Sequence, residues 1–184
     1  MVNAKQKGAS FERTVCVDLS KWVSNGDRED LFWRSAMSGG RATVGRKNRG
    51  TDLRAQAGDV CLVADHAGAA ALVNSFYIEC KHLASIRFRD LVFDRKSGLP
   101  EIWQTACRES GIIDKMPMLI ARANRFPTFV GVNAAGASSY LFDSVKALAT
   151  FHTHNLCVFD YNALLRTHYK YTTHVGAVVK RRRL

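Results

Sequence analysis

Residues 75–82 are the stretch that most restricts how this chain can fold. They include aromatic and β-branched residues and no Gly or Pro, which predicts a β-strand. Because strand side chains alternate between faces, Glu79 and Lys81 point the same way, together with Tyr77. A charge on a buried sheet is costly unless it is paired or binds a metal. Glu79 and Lys81 are therefore either an ion pair at the end of a strand or part of a functional site.

The hydrophobic content is high enough for one domain with a core of its own. Of the 184 residues, 47% are hydrophobic, and we expect one domain over residues 1–184, with a core at about 8–132 and an extension at about 133–184. No apolar run approaches a membrane span and the N-terminus has no signal-peptide core, so no membrane partner is expected. Five cysteines without C-x-x-C spacing indicate reduced thiols in a cytoplasmic compartment.

Positive charge dominates the chain and suggests a polyanionic partner. The net charge is +11, and such an excess favours nucleic acid. Much of it lies in two clusters, in a Gly-rich stretch and near the C-terminus: Arg41, Arg46, Lys47 and Arg49, and Lys180, Arg181, Arg182 and Arg183. Either cluster alone is more typical of a solvated loop or tail. Together, beside a candidate catalytic strand, they favour contact with phosphates.

Hydrophobic periodicity and turn signals predict an α/β chain with a mixed sheet flanked by helices. A helix is expected from Gly8 to about Asn25, after a loose lead over residues 1–7. The other predicted elements are strands at 31–34, 60–63, 75–82, 116–121, 128–132 and 156–159, and helices at 100–111, 143–151 and 160–168. Residues 64–73 are expected to be a turn, which would make the strands at 60–63 and 75–82 antiparallel partners.

Four charged residues are predicted at the edges of these elements: Glu12, Asp59, Glu79 and Lys81. If the two strands pair, Asp59 and Glu79 converge, and carboxylates that converge repel one another unless a cation lies between them. Oxygen ligands favour Mg²⁺ or Mn²⁺, and a neighbouring lysine suits the hydrolysis of a phosphodiester. Two alternatives stay open. Glu12 could instead form a salt bridge with Arg13 or Arg34, and Asp52 is the rival of Asp59 as the metal aspartate.

The pattern Gly58-Asp59-Val60 followed by Glu79-Cys80-Lys81 resembles the PD-(D/E)XK nuclease superfamily. Within it, the chain is most similar to archaeal-type Holliday junction resolvases and related phage enzymes. That similarity rests on the segment from Lys7 to Arg13 and on Arg34 with Ser38-Gly39, and it covers about residues 5–132. The chain has Gly58 where the family often has Pro, and an unusually long spacer between Asp59 and Glu79.

The resemblance implies a restriction-endonuclease-like αβββαβ core and a metal-dependent DNA endonuclease, in a bacterial, archaeal or phage-infected host cell. Its most specific expectation is a homodimer that cuts branched DNA. By the same resemblance, Asp59, Glu79 and the carbonyl of Cys80 would bind the metal, and Lys81 would serve the attacking water. Glu12 would bind or orient a metal or its water, Ser38 would approach the scissile phosphate, and Lys7 would contact DNA. Two competing interpretations are a nucleic-acid-binding protein without catalysis and a restriction-type enzyme that reads a specific sequence.

Overall fold

The structure, a computed structural model, describes residues 4–35 and 57–169. Its helices and strands in chain order are α1 (Ala4–Val23), β1 (Phe32–Arg34), β2 (Val60–Leu62), α2 (Ala67–Ser75), β3 (Phe76–Leu83), α3 (Arg89–Val92), α4 (Leu99–Ile112), β4 (Met116–Ala123), β5 (Phe126–Val132), α5 (Ala134–Ala137), β6 (Ala147–Phe151), β7 (Leu156–Asp160) and α6 (Tyr161–Leu165). A 3₁₀ turn, His152–His154, joins β6 to β7. Several residues named above lie outside the described ranges: Ser38, Arg41, Arg46, Lys47, Arg49, Asp52, Lys180, Arg181, Arg182 and Arg183.

Five of the strands form one mixed sheet in the order β3-β4-β5-β7-β6. β3 and β4 are parallel, and the other neighbouring pairs are antiparallel. β1 and β2 form a separate antiparallel pair. This is the predicted mixed α/β architecture with flanking helices, consistent with a restriction-endonuclease-like fold. The strands of the predicted C-terminal extension continue the same sheet, because β7 pairs with β5.

Helix α1 covers one face of the sheet with the apolar stripe that the sequence predicts. Phe11, Val15, Leu19 and Trp22 are all buried, and they belong to the same cluster as Ile78 of β3. A second cluster, on the opposite face, is centred on Trp103 of α4 and the strand residues Leu119 and Phe129. The alternation of β3 therefore places Glu79 and Lys81 on the face away from α1.

The sequence-based prediction for residues 64–73 was wrong. These residues lead into α2, whose N-cap is His66, and the His66 Nδ1 atom accepts a hydrogen bond from the Ala69 N–H at 3.1 Å. The segment is rich in alanine, which has the highest intrinsic helix propensity. Because a helix now separates β2 from β3, the chain can cross over and return in a parallel direction. The contact is a parallel bridge between Gly58 and Ile78, so the predicted antiparallel pairing does not occur.

Two further element predictions need correction. Residues 147–151 form strand β6 and no helix, because their backbone pairs with β7 across the tight 3₁₀ turn. Helix α1 also begins at Ala4, inside the lead expected to be irregular. No helix among the described residues is both long and apolar enough to cross a bilayer.

Candidate active site

Asp59 is fastened to the middle of β3 by two hydrogen bonds. The Asp59 N–H donates to the Ile78 carbonyl at 2.8 Å. The Cys80 N–H donates to Asp59 Oδ2, also at 2.8 Å. These bonds span the backbone on either side of Glu79. The Asp59 carboxylate is therefore held beside the strand that carries Glu79 and Lys81, although the two segments are not antiparallel partners.

Gly58 makes this close approach possible. Its φ is +94°, and a Cβ atom at this position would lie 2.6 Å from the Ile78 carbonyl oxygen. Residues with a side chain rarely adopt a positive φ, and proline, whose φ is fixed near −65°, cannot adopt it. The backbone geometry thus accounts for a glycine where similar nucleases often have proline.

Both carboxylate oxygens of Glu79 are engaged. Oε1 forms an ion pair with Lys81 Nζ, and Oε2 accepts a hydrogen bond from the Tyr77 hydroxyl at 3.1 Å. The same hydroxyl also contacts Glu109 Oε2, from helix α4. Since a phenol has one proton, Tyr77 can donate to only one of the two carboxylates at a time. The Glu79 side chain is only 14% exposed, so these partners largely determine its orientation.

Burial and mutual repulsion give the site unusual protonation properties. Burial, reinforced by the Glu79 carboxylate, raises the pKa of Asp59 to about 7, against the opposing effects of the Cys80 N–H and Lys81. Burial lowers the pKa of Lys81, but the charge and hydrogen bond of Glu79 outweigh it, so the pKa is raised overall. Lys81 is therefore an ammonium at neutral pH. Burial also raises the pKa of the Cys80 thiol well above its ordinary value, which keeps that thiol neutral.

Glu12 adopts one of the two arrangements that its sequence position allowed. Its Oε2 atom accepts a hydrogen bond from Arg34 Nε at 2.8 Å, in a salt bridge between α1 and β1. The Glu12 side chain is 14% exposed. Its negative charge also contributes to the raised pKa of Asp59, after burial and Glu79. Glu12 is thus paired with an arginine and acts electrostatically on the site, while its role as a metal ligand stays a prediction.

Comparison with protein families identifies the family to which this chain belongs. A model of the family described as "Phage putative PDDEXK endonuclease" matches residues 3–173, nearly the whole chain. The chain belongs to this family. It is therefore a member of the PD-(D/E)XK nuclease superfamily, as the motif residues indicated. No curated protein and no solved structure matches the chain significantly.

PD-(D/E)XK nucleases generally use divalent metal ions, and the donor groups of this member fit such an ion. Within residues 4–35 and 57–169, no group of three or more His, Cys, Asp or Glu side chains forms a metal cluster. Asp59 and Glu79 nevertheless repel each other electrostatically, and a cation would relieve that repulsion. Mg²⁺ often takes only one or two carboxylates and completes its shell with water and phosphate oxygens. Two carboxylates and the Cys80 carbonyl thus suit Mg²⁺ or Mn²⁺.

Sequence reasoning missed two residues of the candidate active site, Tyr77 and Glu109. Tyr77 could have been found, because strand alternation places it on the same face as Glu79 and a buried hydroxyl needs a partner. Glu109 gave no local signal. It is 32 residues from Tyr77 in sequence, and only the packing of α4 on β3 brings the two side chains together.

Proposed function

We propose that the protein is a Mg²⁺- or Mn²⁺-dependent DNA endonuclease that hydrolyses phosphodiester bonds at the site formed by Asp59 and the Glu79–Lys81 segment of β3. The observation that supports this most directly is the meeting of Asp59, Glu79 and Lys81. A buried carboxylate with a pKa raised to about 7 lies beside a second carboxylate, with an ammonium next to both. Such an arrangement is costly for a fold alone and useful where a metal and a phosphate bind.

In this proposal each residue of the site has a separate task. Asp59, Glu79 and the Cys80 carbonyl would hold the ion, which would supply Lewis-acid activation of water and of the phosphate. Lys81, as an ammonium, orients the attacking water and offsets the charge that develops on the phosphate. A protonated lysine cannot itself take the proton from water. Tyr77, whose hydroxyl also contacts Glu109, positions Glu79.

We further propose that the substrate is branched DNA and that the protein acts as a homodimer. Similarity of the segment from Lys7 to Arg13 to Holliday junction resolvases supports branched DNA as the substrate. Branched substrates require two coordinated cuts, which a homodimer supplies by two-fold symmetry. A location in the cytoplasm of a bacterial, archaeal or phage-infected host cell is part of the same proposal, and the free thiols of all five cysteines support it.

A second candidate function is nucleic-acid binding without catalysis. It is favoured by the two ion pairs, Glu79 with Lys81 and Glu12 with Arg34, which satisfy the charges without a metal. In that case the acidic and basic groups would stabilise the fold, and the net charge of +11 would account for the affinity for DNA.

Cutting assays distinguish the two candidates. Supercoiled plasmid, linear duplex and four-way junctions would be incubated with Mg²⁺, Mn²⁺ or EDTA and wild-type protein, Asp59→Ala, Glu79→Gln or Lys81→Ala. Glu101→Gln, an exposed carboxylate on α4, is the matched control for Glu79→Gln. Metal-dependent cutting that is lost in the three site variants and retained in the control supports the nuclease.

The other results are equally informative. Salt-sensitive binding without cutting in either metal would support the second candidate. Preference for the four-way junction over linear duplex supports the resolvase assignment, whereas discrete fragments from linear duplex would indicate a restriction-type enzyme. Glu79→Gln should bind DNA at least as tightly as wild type, since it removes repulsion between a carboxylate and a phosphate.

A further inference from the structure

A basic pocket lies on the other face of the β3 end, away from Glu79 and Lys81. It has a volume of about 360 Å³ between the N-terminal half of α1 and the ends of β3 and β4. The lining residues that matter here are Lys7, Ser10, Phe11, His82, Arg122 and Asn124, and none of the described residues that line the pocket is a carboxylate. The pocket therefore combines positive charge with neutral polar groups.

The register of β3 and β4 places two of the pocket residues side by side. His82 of β3 is paired with Arg122 of β4, and Lys81 with Ala121. Paired residues of adjacent strands share a face and successive residues alternate, so His82 and Arg122 face α1 while Lys81 faces away. The pocket is thus one strand residue beyond the lysine of the proposed catalytic site.

An aromatic ring orients the Arg122 guanidinium and leaves its positive charge in place. Its guanidinium carbon lies 5.3 Å from the centre of the Phe11 ring, in a cation–π contact. Such a contact holds the arginine stem and plane and leaves the full positive charge. Lys7 and Arg122 are both exposed at the pocket, which makes their charges accessible to a ligand.

His82 supplies an independent indication of a ligand. Its Nε2 atom is buried, with no hydrogen-bond partner among the described residues. Its ring packs against Phe11, with 5.9 Å between the ring centres. A buried polar atom without a partner is unfavourable, and such atoms are uncommon in folded proteins. A ligand with oxygen atoms, entering the pocket beside Arg122, would give this imidazole a partner.

We propose that this pocket binds a non-scissile phosphate of the DNA backbone. This inference rests on the proposed nuclease function, because it is the adjacent catalytic face that makes DNA the phosphate source. Lys7 and Arg122 supply the charge, and Ser10, His82 and Asn124 supply hydrogen bonds. The DNA backbone is then held at the face of β3 that is turned toward α1, while the reaction proceeds at the opposite face. This contact fixes the position of the scissile phosphate relative to Lys81.

DNA binding without metal tests the pocket separately from catalysis. The affinity of a fluorescein-labelled four-way junction and of a linear duplex would be measured by anisotropy in EDTA, from 50 to 200 mM salt. The variants are Lys7→Gln, Arg122→Gln and the double variant. Glutamine retains much of the side-chain stem over Phe11. Arg166→Gln is the matched control, because Arg166 is exposed and lines a cavity with Trp22 and Asn25 at the opposite end of α1.

The double variant should lose about one unit of the log–log salt slope, since both cations neutralise the same phosphate. Over this salt range, that loss corresponds to an approximately 3.5-fold smaller change in affinity. A loss of about two units would indicate two separate phosphates and overturn the single-phosphate pocket. A slope equal to those of wild type and Arg166→Gln, with unchanged melting temperature, would overturn the proposal altogether.

The two proposals fail in different ways. If wild type cuts DNA but the double variant keeps the full salt slope, only the phosphate pocket is wrong. If no preparation cuts DNA in any metal but the slope falls in the double variant, the pocket still binds a backbone phosphate and the catalytic proposal is wrong. Arg122→Lys retains the charge, so its salt slope should equal that of wild type. This control separates the loss of a charge from misfolding.

Discussion

Replacing Asp59 with Asn should remove a pH-dependent loss of stability. Asp59 is 5% exposed, and burial together with Glu79 raises its pKa from 3.8 to about 7 in the folded protein. Between these two pH values, the folded state therefore retains a proton that the unfolded state has already released. A group with a raised carboxyl pKa destabilises the folded state as the pH rises from about 4 to about 7.

The expected magnitude follows from the width of that interval. At about 1.4 kcal/mol per pH unit, the rise from 3.8 to about 7 corresponds to at most about 4 kcal/mol of lost stability. Asn resembles the protonated acid, and its amide oxygen can still accept the hydrogen bond from the Cys80 N–H. Asp59→Asn should therefore match wild type near pH 4 and exceed it progressively up to pH 7–8.

Urea unfolding followed by circular dichroism between pH 4 and pH 8, in EDTA, measures this difference. Asp65→Asn is the control, because it removes an exposed carboxylate three residues beyond β2 and should leave the shape of the curve unchanged. At pH 8, Mn²⁺ should raise the melting temperature of wild type and have little effect on Asp59→Asn. Parallel stability curves for wild type and Asp59→Asn across the whole range would refute the electrostatic reasoning.

Two further predictions concern the backbone and the hydroxyl that position the carboxylates. Gly58→Ala should lower the free energy of unfolding by at least about 1 kcal/mol, and by more than Gly26→Ala, because both glycines have positive φ but only Gly58 would place its Cβ against a carbonyl. Equal urea midpoints for the two variants would contradict this. Tyr77→Phe removes the hydroxyl shared with Glu109, and we expect an approximately fivefold fall in the cutting rate, equivalent to about 1 kcal/mol. DNA affinity in EDTA should stay unchanged; a loss of affinity with an unchanged rate would exclude a positioning role.

The sequence predicted features that depend on near neighbours along the chain. The apolar stripe of α1 was visible from its helical period, and its burial is confirmed. Strand β3 was visible from its aromatic and β-branched residues, and its alternation correctly separated Ile78 from Glu79 and Lys81. The family was also recognisable from short motifs, because Asp59, Glu79 and Lys81 each stand at the edge of an apolar run that sequence alone reveals.

Local patterns were less informative where two structures had similar propensities. The alanine-rich segment before β3 suggested a turn, although the chain forms helix α2 there. Residues 147–151 suggested a helix, although pairing with β7 makes them a strand. In both segments small and apolar residues are compatible with either state, so long-range pairing decides between them.

By itself, then, the sequence determined which residues are hydrophobic, which face of β3 carries Glu79 and Lys81, and the net charge of +11. Only the tertiary structure decided that Asp59 reaches β3 through a parallel bridge, that Glu109 shares a hydroxyl with Glu79, and that Arg122 lies beside His82. The physical reason is the separation in sequence of the residues that interact. Helical and strand periodicity arise from contacts a few residues apart, whereas these meetings depend on crossover direction, strand register and helix packing, which are set by the burial of the whole core.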